Sequence, residues 1–344
     1  MKPIHHSGIF SIFISMTLPI ATAATWNGAT GSTQTLAWDS VANWTPNTAF
    51  PNGIGEVATI TKDLTGGNTT INLSSTQNIT VGTLSIGDTA SSNTYTIAPN
   101  ATTPFPLVFD NTGSTNAVLT DTPASGTNRT DTISVNCILN DPLDVTVGLN
   151  TLSLTGIISE GSSGMGLTKT GTGMLTLWGL NTYTGTTTIE NGTLRLSGSS
   201  TSHLGTGTSP VALGNATSIS SNLSPILQLN TDLTNPVSRD ITVGASNSPT
   251  TGTYTISTNN GSTGLGVSGN ITLNQSLTIS GATSGGFNFT GNITTGSTGA
   301  KTLSFTGGSG QITASGVIGG GTGTISLSKG GGNTLTLSGA NTYT

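Results

Sequence analysis

Residues 156–184 end in Lys169-Thr-Gly-Thr-Gly-Met-Leu-Thr-Leu-Trp-Gly-Leu-Asn-Thr-Tyr-Thr184, and residues 316–344 end in Lys329-Gly-Gly-Gly-Asn-Thr-Leu-Thr-Leu-Ser-Gly-Ala-Asn-Thr-Tyr-Thr344. Aligned without a gap, so that Lys169 matches Lys329, the two segments agree at 14 of 29 positions. Self-similarity of this kind is the sequence signature of a repeat architecture. The fold is therefore expected to consist of a unit that recurs along the chain.

Short alternating segments continue this pattern before, between and after the two runs. In each of them two apolar side chains flank a Thr, Ser or Arg, and examples are Ile79-Thr-Val81, Leu84-Ser-Ile86, Leu152-Ser-Leu154, Leu194-Arg-Leu196, Ile241-Thr-Val243, Ile271-Thr-Leu273, Leu277-Thr-Ile279 and Leu335-Thr-Leu337. A period of two is typical of β-strands, and Gly, Asn or Asp follows nearly every segment as a turn residue. No convincing helical period appears after Ala23, so the sequence predicts an all-β fold.

The spacing of the apolar pairs favours stacked parallel coils. Leu152, Leu175 and Leu194 each begin such a pair, so the pairs recur after about 20 residues, as in one turn of a β-solenoid. Stacking then places each pair roughly 4.8 Å above the last. We therefore predict a right-handed parallel β-helix of about 14 coils, formed by residues 56–150 and 151–344.

Two asparagines of the repeated run fall at expected corners of the coil. They are Asn181 and Asn341, which match each other in the alignment. Asparagine tolerates the left-handed backbone conformation and can bond its own backbone there. We expect both residues to turn the chain in this way.

An antiparallel β-sandwich array is the alternative architecture. Asn191-Gly192 lies between Thr187-Thr-Ile189 and Leu194-Arg-Leu196, and Asn-Gly is a strong hairpin signal. Sandwiches use such turns at spacings of about 8–12 residues. No Cys…Trp…Cys pattern supports immunoglobulin-like domains, and we favour the parallel β-helix.

The composition argues against nucleic-acid binding. Only 6% of the residues are charged, eight are Lys or Arg, and the net charge is −5. Proteins that bind nucleic acid normally carry a basic patch that neutralises phosphates. We expect no nucleic-acid partner.

Residues 1–23 predict a Sec-type signal peptide. Lys2 lies in a short n-region, residues 9–20 form an apolar h-region, and Ala21-Thr-Ala23 has the small residues of a cleavage site. The apolar run is shorter than the ~20 residues that a membrane span requires. We expect export to the cell surface, the outer membrane or the medium.

Residues 24–55 predict an N-terminal cap. Trp26, Trp38 and Trp44 crowd into this segment, and Pro46 follows them. The first coil has no preceding neighbour, so its apolar end needs a cover. Alternatively, exposed indole rings at these positions would stack on sugars.

The chain between Pro99 and Asp144 predicts loops that project from the rod. It contains four further prolines and five aspartates, namely Pro104, Pro106, Pro123, Pro142, Asp110, Asp121, Asp131, Asp141 and Asp144. We expect these acids to be solvated. Coils bring distant residues together, however, and Asp121 could meet Asp131 or Asp141, as a pair of catalytic carboxylates would.

Other catalytic and metal-binding patterns are weak. His203 is the single histidine after the leader, no Gly-x-Ser-x-Gly motif is present, and we expect a surface side chain. Cys137 has no partner for an internal disulfide, and we expect a buried, unreactive thiol. One histidine and one cysteine cannot form a zinc site. We predict no catalytic, cofactor or metal residues, and no enzyme activity.

The run Lys-x-Gly-x-Gly-x-Leu-Thr-Leu-x-Gly-x-Asn-Thr-Tyr-Thr resembles the autotransporter-associated β-strand repeat, also called the passenger-associated transport repeat. We place the copies at residues 151–198 and 309–344. The second copy stops at Thr344, before the continuation found in the first. It also carries Ser338 in place of Trp178, an outward position.

This resemblance implies an exported stalk or passenger segment of a bacterial surface protein. Its repeats would help the passenger fold while it crosses the outer membrane, and adhesion to glycans or surface proteins would be a further role. The repeat residues would maintain the coil: Leu175, Leu177, Asn181, Tyr183, Leu335, Leu337 and Asn341. A polysaccharide-binding or polysaccharide-degrading β-helix is the alternative function.

The same resemblance implies a C-terminal β-barrel translocator. Barrel strands alternate apolar and polar residues and carry aromatic girdles at both membrane interfaces. Residues 285–344 contain only four aromatic side chains: Phe287, Phe289, Phe305 and Tyr343. We therefore expect the sequence to be a fragment of a longer protein or the product of a truncated gene, and a short secreted protein complete in itself is the remaining alternative.

Overall fold

The computed structural model describes residues 22–343 except 30–31, 91–92, 102–103, 122–128, 200–201, 231, 234, 260–264 and 282–284. The predicted signal peptide lies almost entirely outside the described residues. Those residues form four β-sheets, a 3-10 turn at Val41–Asn43 and one short helix, α1 (Ala216–Ser220). No helix in the described part of the chain has the length and apolarity that crossing a bilayer requires.

Each of the four sheets is a stack of short strands. In spatial order, the first sheet contains β3 (Trp44–Thr45), β1 (Ala23–Trp26), β4 (Val57–Ile60), β7 (Thr83–Ile86), β10 (Ala117–Asp121), β13 (Leu143–Val147), β16 (Leu167–Thr170), β18 (Thr187–Ile189), β20 (Val211–Leu213), β22 (Ile241–Val243), β25 (Ile271–Leu273), β28 (Ile293–Thr295) and β31 (Ile318–Gly321). The second sheet contains β2 (Gln34–Ala37), β5 (Thr69–Asn72), β8 (Tyr95–Ala98), β11 (Thr130–Ile133), β14 (Thr151–Leu154), β17 (Met174–Leu177), β19 (Gly192–Leu196), β21 (Pro225–Leu229), β23 (Tyr254–Thr258), β26 (Leu277–Gly281), β29 (Ala300–Gly307) and β32 (Thr324–Lys329). The third sheet contains β15 (Ile158–Glu160), β12 (Cys137–Leu139), β9 (Leu107–Phe109) and β6 (Ile79–Val81). The fourth sheet contains β24 (Gly266–Val267), β27 (Gly286–Phe289), β30 (Gln311–Ala314) and β33 (Thr334–Leu337).

The chain visits the sheets in a fixed order. β4, β5 and β6 lie in the first, second and third sheets, and β7 then returns to pair with β4 in parallel. The fourth sheet replaces the third in the C-terminal coils, and between them the third side has no regular strand among the described residues. This is the winding of a three-sided β-solenoid.

The antiparallel alternative is wrong. Within the described residues, β1 and β3 are the one pair of strands that run antiparallel, and all other sheet neighbours run parallel. The Asn191-Gly192 pair does not close a hairpin, because β18 and β19 on either side of it belong to different sheets. Gly192 has a φ of 67°, which lets the chain turn a corner of the coil there.

The number of coils is smaller than predicted. Among the described residues the second sheet has 12 strands, one for each coil, against the expected 14. The difference arises because several coils are long, as the pairings of Ile97 with Ile133 and of Leu196 with Leu229 show. At about 4.8 Å per coil the stack is roughly 55 Å long.

Apolar ladders fill the interior. Leu152 pairs with Leu175, Leu175 with Leu194 and Leu194 with Leu227, and all four side chains are buried. Each buried leucine contributes about 1.5–3 kcal/mol relative to an exposed one. The interior is therefore a continuous core along the axis of the solenoid.

Tryptophans close the N-terminal end. Trp26 and Trp38 each pack edge-on against Trp44, with ring centroids 5.1 Å and 4.9 Å apart, and all three are buried. The indole nitrogen of Trp44 donates to the backbone oxygen of Trp38 (2.7 Å). This packing is consistent with the predicted cap at residues 24–55, and buried rings cannot form the alternative sugar platform.

Candidate functional site

The first repeat copy wraps around one corner of the solenoid. Its Lys169 lies on β16, its Leu175 and Leu177 lie on β17, and its Asn181 and Tyr183 lie in the turn region after β17. All five side chains are buried. These five of the residues that recur between the copies therefore point into the coil.

Lys169 links two consecutive coils. Its Nζ donates to the backbone oxygens of Thr170 (2.7 Å), Gly171 (2.9 Å) and, one coil later, Asn191 (3.1 Å). Burial lowers the pKa of the Lys169 amine to about 7. Three carbonyl acceptors offset the cost of placing an ammonium in the interior. The sequence motif includes Lys169 but does not indicate this role.

Asn181 bridges three coils. Its Oδ1 accepts the backbone N–H of Ile158 in the coil before (2.8 Å), and its Nδ2 donates to the backbone oxygen of His203 in the coil after (2.6 Å). The expectation of a left-handed corner asparagine that bonds its own backbone is wrong. Among the described residues with a side chain, only Asn222 has a positive φ.

Tyr183 and Glu160 complete the corner. The Tyr183 hydroxyl lies 2.8 Å from Oγ1 of Thr187, which donates in turn to the backbone oxygen of Leu204 (3.2 Å). The Glu160 carboxylate of the preceding coil accepts the backbone N–H and the hydroxyl of Thr184 (3.0 and 2.6 Å). Although its partial burial acts in the opposite direction, these hydrogen bonds lower the pKa of Glu160.

The second copy repeats two of these contacts, one within its own coil and one to the coil before it. Lys329 donates to the backbone oxygens of Gly330 (2.9 Å) and Gly331 (3.2 Å), and Asn341 Oδ1 accepts the N–H of Ile318 (2.8 Å). It lies one side further around the coil, however. Lys169 is in the first sheet, whereas Lys329 is in the second. The corners are therefore interchangeable, and the motif specifies a local corner rather than a fixed side.

A buried ionic cluster lies near the N-terminal third of the solenoid. The Arg129 guanidinium donates from Nη2 to Asp121 Oδ1 (2.9 Å) and from Nε to Asp131 Oδ2 (2.8 Å), and all three side chains are buried. Nη1 of Arg129 donates to the backbone oxygen of Asp88. The backbone N–H of Tyr95 donates to Asp131 Oδ1 (2.7 Å).

The cluster holds more acid than base. Burial, and next the charge of Asp131, raise the pKa of Asp121 to about 8, against the lowering effect of Arg129. Burial also raises the pKa of Asp131, although Arg129 opposes it. One guanidinium compensates one carboxylate, so the other carboxyl keeps its proton at neutral pH.

The expectation of solvated acids is wrong for Asp121 and Asp131. They meet, as coils allow, whereas Asp141 lies elsewhere and accepts the N–H of Asn111 (2.6 Å). The alternation of the strands could have revealed this: Asp121 follows Leu119 by two residues and shares its inward face. Asp121 and Asp131 are 1% and 0% exposed, and Arg129 lies between them as their shared partner.

The structure also tests the predictions made for His203 and Cys137. His203 is buried rather than on the surface, with Nε2 2.6 Å from the backbone oxygen of Ser197. Burial lowers the pKa of its imidazole. Cys137 is buried, as predicted, and burial raises the pKa of its thiol to about 12, which makes it unreactive.

An open groove of about 220 Å³ lies on the third side of the solenoid. The described residues that line it are Pro99, Pro104, Phe105, Pro106, Ser134, Val135, Asn136, Ile138 and Ser159. None of these lining residues is acidic, so the groove brings no carboxylate pair to a sugar. Across the described ranges, no three His, Cys, Asp or Glu side chains are placed to hold a metal ion.

A comparison with models of protein families finds a match at both repeat copies. The model of the passenger-associated-transport-repeat family matches residues 167–202 and 327–344. The chain therefore carries two passenger-associated transport repeats, and the resemblance seen in the sequence is confirmed. This repeat is a structural element of autotransporter passengers. No curated protein matches the chain, and no solved structure does.

Proposed function

We propose that this chain is a structural segment of an exported passenger, in which each repeat corner fixes the next coil as it forms and so assists outer-membrane passage. The observation that carries the proposal is that Lys169 and Asn181 donate to backbone oxygens of the following coil, at Asn191 and His203. The family match to a passenger repeat supports the same assignment.

The physical basis is sequential closure. In a solenoid each coil contacts its neighbours only, so folding can advance one coil at a time. A closed coil offers an unpaired strand edge and apolar side chains to the chain that follows. At a repeat corner it also offers two buried donors that are satisfied when the next coil arrives. Such a corner favours forward addition and resists reversal.

The environment of the protein follows from this proposal. A passenger reaches the cell surface or the medium, and the signal-peptide pattern of residues 1–23 supports export. The proposed partner in passage is an outer-membrane translocator. Adhesion to glycans or surface proteins is a further proposal, supported by the passenger assignment alone.

Asn181→Ala tests the proposal in cells. The full chain is fused to an outer-membrane translocator, and the fraction that external protease can reach is compared with the total. We expect Asn181→Ala to lower this fraction severalfold, because two backbone groups lose their partner as the coil closes. The matched control is Thr182→Ala at the exposed neighbouring position, which we expect to behave as wild type.

Stability of the purified variants separates passage from simple folding. If Asn181→Ala is less stable after purification but reaches the surface as efficiently as wild type, the corner has no part in passage and the proposed function is wrong.

A further inference from the structure

A small cavity lies on the third side of the solenoid, in the coils where the described residues form no regular strand on that side. It has a volume of about 40 Å³ and lies between residues 202–205 of one coil and residues 235–239 of the next. His203 and Arg239 are the ionisable side chains among the described residues that line it. A cavity of this size holds about three water molecules, or a ligand of about three or four non-hydrogen atoms.

Arg239 brings a positive charge to the cavity without an acidic partner. Its Nε donates to the backbone oxygen of Ser209 (3.2 Å), its Nη2 donates to the same oxygen, and its Nη1 donates to the backbone oxygen of Leu204. A guanidinium has five N–H donors, so one N–H on each of Nη1 and Nη2 has no acceptor among the described residues. Within the same ranges no carboxylate forms an ion pair with it.

The other two arginines of the chain have side-chain partners. Arg129 forms ion pairs with two buried aspartates. Arg195 lies on the outward face of β19, and its Nε donates to Oε1 of Gln228 (2.7 Å). Burial lowers the pKa of the Arg239 guanidinium, which nevertheless stays charged. A half-buried cation without a counter-charge favours the binding of an anion beside it.

His203 places a second nitrogen at the cavity. Its Nε2 carries the hydrogen, because Nε2 lies 2.6 Å from the backbone oxygen of Ser197 and a carbonyl oxygen only accepts. Nδ1 has no partner among the described residues and becomes a donor when the ring is protonated. Burial lowers the pKa of the imidazole, whereas its bond to Ser197 and the charge of Asp232 raise it. Arg239 across the cavity is the other charged group, and an anion bound between the two would favour the protonated ring.

We propose that this cavity binds a carboxylate group, held by the two unpartnered N–H groups of Arg239 and by Nδ1 of His203. A planar carboxylate accepts two hydrogen bonds from one guanidinium, and the pair is geometrically specific. Leu196, Leu204 and Val237 provide apolar wall for the carbon atoms that carry the carboxylate. This site goes beyond the structural role proposed above and does not depend on it.

Two kinds of ligand present this chemistry. A free small acid such as acetate fits the volume of the cavity as a whole molecule. An acidic sugar such as galacturonate would insert its carboxylate and leave its ring outside. Both share the group that Arg239 recognises, and the experiment below distinguishes them.

Nuclear magnetic resonance of the full chain tests the proposal. The chain has three arginines, so the Nε–H signals of Arg129, Arg195 and Arg239 can be assigned one by one, and His203→Asn assigns the imidazole signal. We expect acetate to shift the signals of Arg239 and His203 saturably and to leave those of the other two arginines unchanged. Acetamide, which has a similar shape but no charge, should shift none of them at the same concentration.

Variants at position 239 separate charge from geometry, with the His203 signal as the readout. Arg239→Gln should weaken acetate binding at least about tenfold, and Arg239→Lys, which keeps a point charge without the fork, should weaken it severalfold. The matched control is Arg195→Gln, which removes an arginine outside the cavity and should leave binding unchanged. Titration of wild type, which needs no variant, keeps the test valid if the loss of the Arg239 side chain disturbs its coil.

The pH dependence tests the part assigned to His203. Acetate should bind severalfold more tightly at about pH 6 than at about pH 8, because the protonated ring donates from Nδ1. An affinity that does not rise as the pH falls would remove His203 from the site.

The comparison with galacturonate identifies the source of the carboxylate. Binding at least as tight as that of acetate assigns the site to an acidic sugar, and weaker binding assigns it to a free small acid. The proposal is wrong if neither acid shifts the Arg239 signal saturably, if acetamide acts as acetate does, or if Arg239→Gln binds acetate as wild type does. None of these results bears on passage through the membrane, so the proposed function is tested separately.

Discussion

The two repeat copies place the same residues in two different surroundings. Around Lys169 a following coil covers the corner, and the lysine, Asn181 and Tyr183 are buried. Around Lys329 no described strand of a following coil pairs with β32, and the equivalent side chains are exposed or half-buried. Both copies keep the contacts to the coil before them, as the matching bonds to Ile158 and Ile318 show. The following coil therefore supplies the remaining acceptors of the motif, the backbone oxygens of Asn191 and His203.

The comparison also shows that the contacts of the motif do not depend on its position around the coil. The copies lie one side apart around the coil, yet the asparagine bond is 2.8 Å in each. A corner of this sequence needs a strand, a turn and a second strand, and any two adjacent sides supply them. The interval between the copies therefore need not be a whole number of coils.

The largest difference between the copies is expected in the stability lost when their leucines are replaced by alanine. Leu177→Ala creates a cavity in a closed core and should destabilise its region by about 2–5 kcal/mol. Leu337→Ala should cost about 1 kcal/mol, because Leu337 is already half-buried. Hydrogen exchange of the neighbouring strands measures each locally, which suits a solenoid that unfolds in parts. Equal costs at the two positions would mean that Leu337 is enclosed in solution as fully as Leu177.

The second largest difference is expected in the stability lost when the asparagines are replaced by alanine. Asn181→Ala leaves the N–H of Ile158 and the oxygen of His203 without partners in the interior, which should cost about 2 kcal/mol. Asn341→Ala removes one bond at a half-buried site and should cost less than about 1 kcal/mol. Denaturant unfolding followed by exchange at β15 and β31 measures both. A larger loss at Asn341 would reverse the comparison.

The ionic cluster allows a charged inward position to be compared with an apolar one in the next coil. Asp131 occupies the inward column that Leu152 continues one coil later. Since the folded pKa of Asp121 is raised to about 8, the folded state binds a proton that the unfolded state releases near pH 4.

The free energy of unfolding should therefore fall as the pH rises from about 4 to 8, by at most about 1.4 kcal/mol per pH unit. Asp121→Asn should remove this slope, since the amide does not titrate. Unfolding curves at intervals of one pH unit measure it. A slope that persists in the variant would assign the proton to another group.

The smallest effect is expected at the outward position where the copies differ. Trp178 is 41% exposed, and the second copy has Ser338 there. Trp178→Ser should change stability by less than about 0.5 kcal/mol, as surface substitutions usually do. Thermal unfolding measured beside wild type checks this. A large loss would show that the indole ring has a packing role.

Sequence patterns are informative where the interaction is periodic. The spacing of Leu152, Leu175 and Leu194 predicts the ladder, because parallel stacking repeats one environment at intervals of a coil. The three clustered tryptophans predict the cap for the same reason, since an end lacks the neighbour that interior coils have.

Sequence patterns do not reveal the hydrogen-bond partner of a side chain when that partner lies in another coil. Nothing near Asn181 in the sequence indicates that Ile158 and His203, each about one coil away along the chain, are its partners. The burial of Asp121 depends on Arg129, whose approach requires the fold. The predicted coil number is too high because long turns, as between Leu196 and Leu229, carry no periodic signal.

Disulfide formation between engineered cysteines tests the parallel stacking most directly. In the solenoid Thr168 is the register partner of Thr188, and both side chains point outward. Strand neighbours about 4.8 Å apart lie within the range of Cα distances that a disulfide spans. A hairpin at Asn191-Gly192 would place Thr188 opposite Arg195 instead.

In a Cys137→Ala background, we predict that the pair Thr168→Cys and Thr188→Cys oxidises readily, whereas the pair Thr188→Cys and Arg195→Cys stays reduced. Thiol titration and peptide mapping after mild oxidation report both. Crosslinking of positions 188 and 195, with none between 168 and 188, would contradict the solenoid and the functional account that depends on it.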